Sequence, residues 1–192
     1  MKKIAAALAA MLLMPAAVSW GADSFCVDPV HSTVVFHIKY LGAFPFEGRF
    51  NEMTGTIVFD EKKPNESRVD LVVKSASIDT GNETRDTHLK SEEYFHSEKH
   101  PGITFESDSV RKTGENTYEV KGRLTMLGKT RPLSVTARFE GRGRDVAGNL
   151  CTGFDTTFTV KRSDFGMTAG RPIVGDEVTL SISAVGTLVT AK

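Results

Sequence analysis

The sequence predicts an all-β domain of eight antiparallel strands, and three observations support this prediction. From Phe25 onward, apolar side chains recur at every second residue, which is the period of a strand that buries one face. Helical periodicity is nearly absent over the same length. Short turn signals separate the alternating segments, and short loops join strands that run antiparallel. Such strands can form a sandwich or an up-and-down barrel, of which only the barrel has no exposed edge.

The first predicted strand shows the alternation most clearly. In the stretch STVVFHIKY, the apolar residues Val34, Phe36 and Ile38 are separated by other side chains. Seven further segments repeat this pattern. Their apolar positions are Ile57 and Phe59; Val69, Leu71 and Val73; Ile103 and Phe105; Tyr118, Val120, Leu124 and Met126; Leu133, Val135 and Phe139; Phe154, Phe158 and Val160; and Val178, Leu180 and Ile182.

The composition of the inward positions leaves the barrel interior undecided. Small or polar residues such as Ala137, Thr156 and Ala184 occur among large ones such as Phe36 and Phe139. An eight-stranded barrel has an interior just wide enough for side chains or for one small ligand. The mixture of sizes suits a cavity, and it equally suits a tapering barrel that side chains fill.

The N-terminus has the features of a secretory signal peptide. Two lysines precede an apolar run from Ile4 to Met14, and Pro15 and small residues follow. The run is shorter than the roughly 20 residues that span a bilayer. We therefore expect residues 1–22 to contain a signal peptide cleaved after a residue between 19 and 22, and residues 23–192 to form one domain in the periplasm.

The charge balance argues against a nucleic-acid partner. The chain has 24 basic and 24 acidic side chains, so its formal net charge is zero. Cleavage of the signal peptide removes two lysines and no acid, which changes the net charge to −2. No basic field remains that would attract a phosphate backbone.

The chain has two cysteines, Cys26 and Cys151. The oxidising periplasm would permit them to form a disulfide, and the sequence equally allows two separate thiols. Two cysteines at this spacing do not match a zinc or redox motif. We expect neither a cofactor nor a metal.

The stretch GNETRDTHLKSEEYFHSEKHP, from Gly81 to Pro101, interrupts the alternation. It is too long for a hairpin turn, and Asn82 or Thr84 is a suitable helix start. We therefore predict a short helix after the third strand, followed by an extended loop that ends at Pro101.

Three of the five histidines lie in this insert, at His88, His96 and His100. Metal-binding histidines on one helix face stand three or four residues apart, and only His96 and His100 meet that spacing. The residues between them resemble a solvated turn, so we expect no metal site. The insert also lacks a recognised arrangement of nucleophile, base and orienting group, so we expect no catalytic residue.

Five stretches of the sequence resemble the YceI family of exported bacterial proteins, also called polyisoprenoid-binding or YceI-like proteins. They are VDPVHSTVVFHIKYLG (27–42), GRFNEMTGTIVFD (48–60), SIDTGNETRDTHLKSEEYFHSEKHPGITFES (77–107), GRLTMLGKTRPLSV (122–135) and FTVKRSDFGM (158–167). Together they extend through essentially all of residues 23–192. The order and spacing of residues between Asp79 and Phe105 make this resemblance specific.

The resemblance implies a lipocalin-like antiparallel barrel with the helical insert packed against one end. It implies a long apolar tunnel that holds an isoprenoid chain, in some members the tail of a quinone, and it implies no established enzymatic activity. The inward residues that would contact the lipid are Val34, Phe36, Ile38, Phe105, Leu124, Phe139 and Phe158.

The resemblance also suggests how the mouth of the tunnel is built. Arg85, Asp86 and His88 would form a polar latch, and Arg85 or His88 could contact a lipid head group. Phe44 and Phe46 would form a lip at the mouth.

The resulting hypothesis is that the protein sequesters or carries an isoprenoid or quinone-like lipid, with membranes as lipid source or acceptor. Homodimer formation stays open. One alternative is an enzyme that acts on isoprenoid lipids. Another is a stress-related interaction protein with a filled barrel, which would bind a protein instead of a lipid.

Export predicts a specific mature mass. Protein purified from the periplasm should lack the first 19 to 22 residues, because signal peptidase cleaves at the small residues after the apolar run. Intact-mass spectrometry measures the new N-terminus. A mass that includes residues 1–22 would contradict export with cleavage.

Overall fold

The computed structural model describes residues 22–189, within which there are eleven strands and one α-helix. The strands are β1 (Asp23–Val27), β2 (Thr33–Tyr40), β3 (Phe44–Phe50), β4 (Met53–Phe59), β5 (Arg68–Lys74), β6 (Ile78–Asp79), β7 (Gly102–Lys112), β8 (Thr117–Met126), β9 (Lys129–Arg144), β10 (Leu150–Lys161) and β11 (Val174–Leu188). The helix is α1 (Glu83–Lys90), and no helix in the described range is long and apolar enough to cross a membrane. The predicted signal peptide lies outside the described residues except for Ala22.

Eight strands close into a barrel in the order β1-β4-β5-β7-β8-β9-β10-β11, and β1 pairs back to β11. The pairings of this barrel are all antiparallel. The other three strands prolong its wall, since β2 continues β1, β3 leads into β4, and β6 continues β5. The chain thus forms eight long strands in sequence order, with α1 after the third. This confirms the predicted antiparallel barrel and its helical insert.

Phe44 and Phe46, which the resemblance suggests as a lip at the mouth, lie on strand β3. Pro45 has no N–H to donate, but β3 has only β2 beside it there, because β6 pairs with Arg49 and Phe50 alone. Gly48 leaves room for the ring of Phe36 on the neighbouring strand. Pro45 and Gly48 are therefore compatible with a strand at a sheet edge.

One end of the barrel is closed by aromatic side chains. This aromatic plug consists of Phe25, Phe59, Tyr118, Phe139 and Phe154. Phe59 lies at its centre, with ring centroids 5.3 Å from Tyr118 and 5.0 Å from Phe154. The guanidinium of Arg142 lies over Phe25 and Phe59 and donates to the carboxylate of Asp23 at 2.6 Å. The plug seals this end, since Phe25 and Phe59 are almost fully buried.

The two cysteines lie too far apart for a disulfide, so of the two arrangements that the sequence allows, the structure has two separate thiols at Cys26 and Cys151. Cys26 on β1 and Cys151 on β10 are both register partners of Thr187 on β11, one on each side of that strand. Neighbouring strands are about 4.8 Å apart, which puts the two Cα atoms roughly 10 Å apart. A disulfide requires a Cα separation below about 7 Å. The sequence could not show this, because it does not specify the order of strands around the barrel.

The strand order predicts two free thiols. Iodoacetamide should label both Cys26 and Cys151 without prior reduction, since Cys26 is exposed and Cys151 is partly accessible. Mass spectrometry of the labelled protein, with and without reductant, provides the measurement. Labelling that requires reductant would show that a bridge forms despite this geometry.

Candidate functional site

The barrel encloses an apolar cavity of about 730 Å³. Inward-facing residues such as Leu124, Val135 and Leu180 line it and keep part of their surface accessible, because no side chain packs against them from the opposite wall. A filled barrel would bury these residues completely. The interior is therefore a cavity, and the alternative of a barrel filled by side chains does not hold.

Six of the seven predicted lipid contacts line this cavity. They are Val34, Phe36, Ile38, Phe105, Leu124 and Phe158. Phe139 does not line it, because it lies opposite Phe154 near the closed end and packs into the aromatic plug. The small residues Ala137 and Ala184 also line the cavity, and their size contributes to its width.

The mouth of the cavity lies at the barrel end opposite the aromatic plug. Strand β6 is only two residues long and pairs with β3, while β5 pairs with β7 up to Lys74. The insert formed by α1 and residues 91–101 covers the wall beyond that point. Leu89 and Phe95 pack against the core, and the Phe95 ring lies 5.5 Å from that of Phe50.

Helix α1 begins where the sequence predicts. The side chain of Asn82 accepts a hydrogen bond from the backbone N–H of Arg85 at 3.0 Å, which caps the helix N-terminus. Glu83 adds a negative charge in the first turn, where the helix dipole favours it. The helix ends at Lys90. The connection from there to Pro101 consists of hydrogen-bonded turns, such as that from the Tyr94 N–H to the Ser91 carbonyl, and is not extended as the sequence predicted.

The polar latch is organised around Thr80, which sequence reasoning did not identify as a site residue. Asp86 Oδ1 accepts hydrogen bonds from the N–H and the hydroxyl of Thr80. Arg85 donates through Nε to Thr80 Oγ1 at 2.7 Å and through Nη2 to the Thr80 carbonyl at 2.8 Å. The two charged side chains thus fasten α1 to the end of β6, each through Thr80.

Arg85 and His88 also border the cavity, whereas Asp86 does not. The Arg85 guanidinium lies 4.6 Å from the ring centroid of Phe46, which also lines the cavity. His88 Nε2 lies 2.9 Å from a carboxylate oxygen of Glu93. The mouth therefore carries a cation and an imidazole at the edge of an apolar space.

The remaining histidines of the insert, His96 and His100, pack against each other. The rings of His96 and His100 pack edge to face with centroids 5.9 Å apart. Within residues 22–189, no group of three or more histidine, cysteine, aspartate or glutamate side chains is arranged to hold a metal ion.

Arg162, at the end of β10, is a buried mouth residue that sequence reasoning missed. Only 3% of its surface is exposed, and burial lowers the pKa of its guanidinium. Its N–H groups donate to the carbonyls of Met167, Ala169, Val174 and Gly175, at distances between 2.6 and 3.2 Å. Arg162 therefore holds the segment between β10 and β11 in place. An arginine directly after Lys161 gives no sequence signal of burial.

Two carboxylates near the mouth are also held by hydrogen bonds. The hydroxyl and the N–H of Ser163 bind Asp176 and keep the pKa of its carboxyl below the ordinary value. The Gly81 N–H, with Asn51 and Arg49, lowers the pKa of Asp79 on β6 in the same way. Both groups are ionised at neutral pH, and their hydrogen bonds stabilise the segments that frame the mouth.

Comparison with known proteins identifies the family. A family model described as YceI-like domain matches residues 25–186. A UPF0312 protein of Pectobacterium carotovorum is 36% identical over 188 residues, which cover 97% of each chain. The chain belongs to the YceI-like family. A UPF0312 protein of Azotobacter vinelandii is likewise 36% identical, over 97% of this chain and 98% of its own.

Solved structures share the barrel. BcnA of Burkholderia cenocepacia superposes with a TM-score of 0.75 at 28% identity, over 83% of this chain and 98% of its own. A YCEI protein of Campylobacter jejuni gives a TM-score of 0.69 at 28% identity, over 80% and 90%. A polyisoprenoid binding domain from Saccharophagus degradans gives 0.70 at 13% identity, over 88% and 99%, which shows a common fold.

The latch predicts that Asp86 stabilises the insert. Asp86→Asn should lower the free energy of unfolding by about 1 kcal/mol, because a neutral amide accepts the Thr80 hydrogen bonds less strongly than a carboxylate does. Urea unfolding, with Glu83→Gln on the same helix as the control, measures the difference. Equal losses in the two variants would mean that only the helix dipole is affected.

Proposed function

We propose that this protein binds an isoprenoid lipid, such as a polyprenyl chain or a quinone tail, in its barrel cavity and carries it without chemical change. The cavity itself is the main support for this proposal. Its lining is almost entirely apolar, it is closed at one end, and Arg85, His88 and Arg162 lie at its mouth. An apolar chain with one polar end has the complementary distribution of polarity.

The size of the cavity suits a chain of several isoprene units. A protein cavity of about 150 Å³ holds one benzene molecule, so a volume about five times larger accommodates roughly 30 carbon atoms. Each buried CH₂ group contributes about 0.8 kcal/mol, and ten of them about 8 kcal/mol before the costs of association are subtracted. Micromolar or tighter affinity is therefore physically reasonable.

The polar groups at the mouth suit a head group. Arg85 has five N–H groups, of which two bind Thr80, so three remain for an oxygen-bearing ligand. His88 adds a second polar group at the same edge. In this proposal Arg85 both fastens α1 and contacts the head group, while Asp86 serves the latch alone.

The comparisons support a lipid ligand at the level of the family. The Saccharophagus degradans neighbour is described as a polyisoprenoid binding domain, and its fold is the one seen here. Export through the predicted signal peptide would put this protein in the periplasm, where a water-insoluble lipid needs a carrier between membranes. Sequestration of the chain inside the barrel meets that need.

An enzyme that acts on isoprenoid lipids is the second candidate function. It is favoured by the position of Arg85 and His88 beside the cavity. An enzyme would convert a prenyl lipid with turnover and would lose this activity in an Arg85→Ala or His88→Ala variant. The proposed carrier should return the lipid unchanged, which mass spectrometry of the extracted ligand tests.

The carrier proposal predicts that filling the cavity blocks binding. Ala137→Phe and Ala184→Phe should each weaken affinity for a fluorescent prenyl lipid at least about tenfold, because the new ring occupies the space of the chain. Overpacking costs about 1–3 kcal/mol of stability, so circular dichroism must show that each variant is folded.

Thr136→Phe is the matched control, because Thr136 neighbours Ala137 but points outward and is exposed. It should bind the prenyl lipid as the parent does. Unchanged affinity in both folded cavity variants would show that the lipid does not occupy the barrel.

A further inference from the structure

Four of the eight large apolar side chains exposed within residues 22–189 lie together at the mouth. We call them the apolar rim: Tyr40, Leu41, Phe44 and Ile173, each between 47% and 61% exposed. The Leu41 N–H donates to the carbonyl of Ile173 at 2.7 Å, and Tyr40 is the register partner of Phe44 across the β2–β3 pair. The rim is thus one continuous feature made from two segments of the chain.

The apolar rim continues the inner wall of the cavity. Along β2, the inward residues Val34, Phe36 and Ile38 line the cavity, and Tyr40 is the next residue on the same face. Tyr40 both lines the cavity and is 47% exposed. Apolar surface therefore runs without interruption from the cavity to the outside of the molecule.

Leu41 has a disfavoured backbone conformation, and the fold alone does not explain why a leucine occupies this position in the rim. Leu41 and Gly42 have φ values of 52° and 71° in the tight turn between β2 and β3. Asparagine, aspartate or glycine is favoured at such a position, and a leucine there adopts a disfavoured conformation. Leu41 is 55% exposed, so burial within the fold offsets the cost of this conformation only in part, which is consistent with contact between Leu41 and another surface.

The residues around the rim indicate which kind of partner surface it would contact. Segments 39–46 and 169–175, which carry the rim, contain Lys39 and Arg171, and the carboxylates of Glu47 and Asp176 follow directly after them, with Asp176 3.8 Å from Arg171. Tyrosine and phenylalanine beside lysine and arginine are typical of membrane interfaces, where aromatic rings lie at the head groups and cations approach phosphates.

We propose that the apolar rim docks on a phospholipid bilayer, so that the prenyl chain moves between the membrane and the cavity at this surface. The proposal rests on the proposed function. A bilayer fits better than a protein partner because it makes hydrocarbon continuous with the cavity. If the prenyl chain had to pass through water, each exposed CH₂ group would lower the population of the exchange intermediate about fourfold.

The test compares two double variants on vesicles of phosphatidylcholine and phosphatidylglycerol. Leu41→Asn with Ile173→Thr removes two rim side chains, neither of which lines the cavity, and asparagine tolerates the positive φ. Val30→Ser with Val146→Ser removes two exposed valines away from the mouth as the control.

The rim variant should lose about tenfold or more in vesicle partitioning, measured by co-sedimentation. Its rate of transferring a fluorescent prenyl probe between donor and acceptor vesicles should fall to the same extent. Its affinity for the free probe should stay within about twofold of the parent, and the control should match the parent throughout.

Three results would overturn the proposal. The parent protein could fail to bind the vesicles, the rim variant could bind as the parent does, or the rim could mediate a homodimer that analytical ultracentrifugation shows to be lost in the variant. Probe affinity separates the two proposals. If the parent binds no prenyl probe, the carrier function fails whatever the vesicles show.

Discussion

The barrel depends on the closure of its sheet between β1 and β11. Side chains that line the cavity lack packing partners on their inner side, so dispersion stabilises this wall less than it would a filled core. A closed ring of backbone hydrogen bonds holds the strands and leaves edges only locally, as along β3 and β6 at the mouth. Strand β1 contributes three residue pairs, from Phe25–Leu188 to Val27–Gly186, and the pairing of β2 with β11 continues the closure towards the mouth. Phe25 also belongs to the aromatic plug. Plug and closure therefore stabilise each other and let the rest of the interior stay open.

The two ends of the barrel are built by different physical means. The plug end is held by aromatic packing, with Arg142 covering the rings. The mouth is held by hydrogen bonds from buried or half-buried polar side chains, above all Arg162 and Asp86, to the backbone. A typical hydrogen bond contributes only about 1 kcal/mol net, whereas a buried aromatic side chain contributes more. At the mouth these bonds accompany a small apolar cluster around Phe165 and Met167, so hydrogen bonds and apolar packing both stabilise this end.

Period-two alternation was sufficient to predict the eight strands and the inward positions of Val34, Phe36, Ile38, Phe105, Leu124 and Phe158. It could not show how far each position lies along the barrel axis, which is why Phe139 was expected in the cavity and lies in the plug. The distance between the two cysteines depends on the order of the strands around the barrel, and that order is not a local property of the sequence. The sequence did not predict the burial of Arg162, because its hydrogen-bond partners are backbone carbonyls, which every residue carries.

The short strand β6 explains why the mouth needs an insert. Because β6 has two residues and pairs only with β3, the wall beside it has no further strand within the described residues. Helix α1 covers this position and is fastened by Thr80, the residue directly after β6. Movement of the insert would break these side-chain bonds and the packing of Leu89 and Phe95 on the core, and would leave the barrel hydrogen bonds intact. Local opening of this kind needs less free energy than separating two strands, so the insert is the part of the wall best suited to admit a ligand.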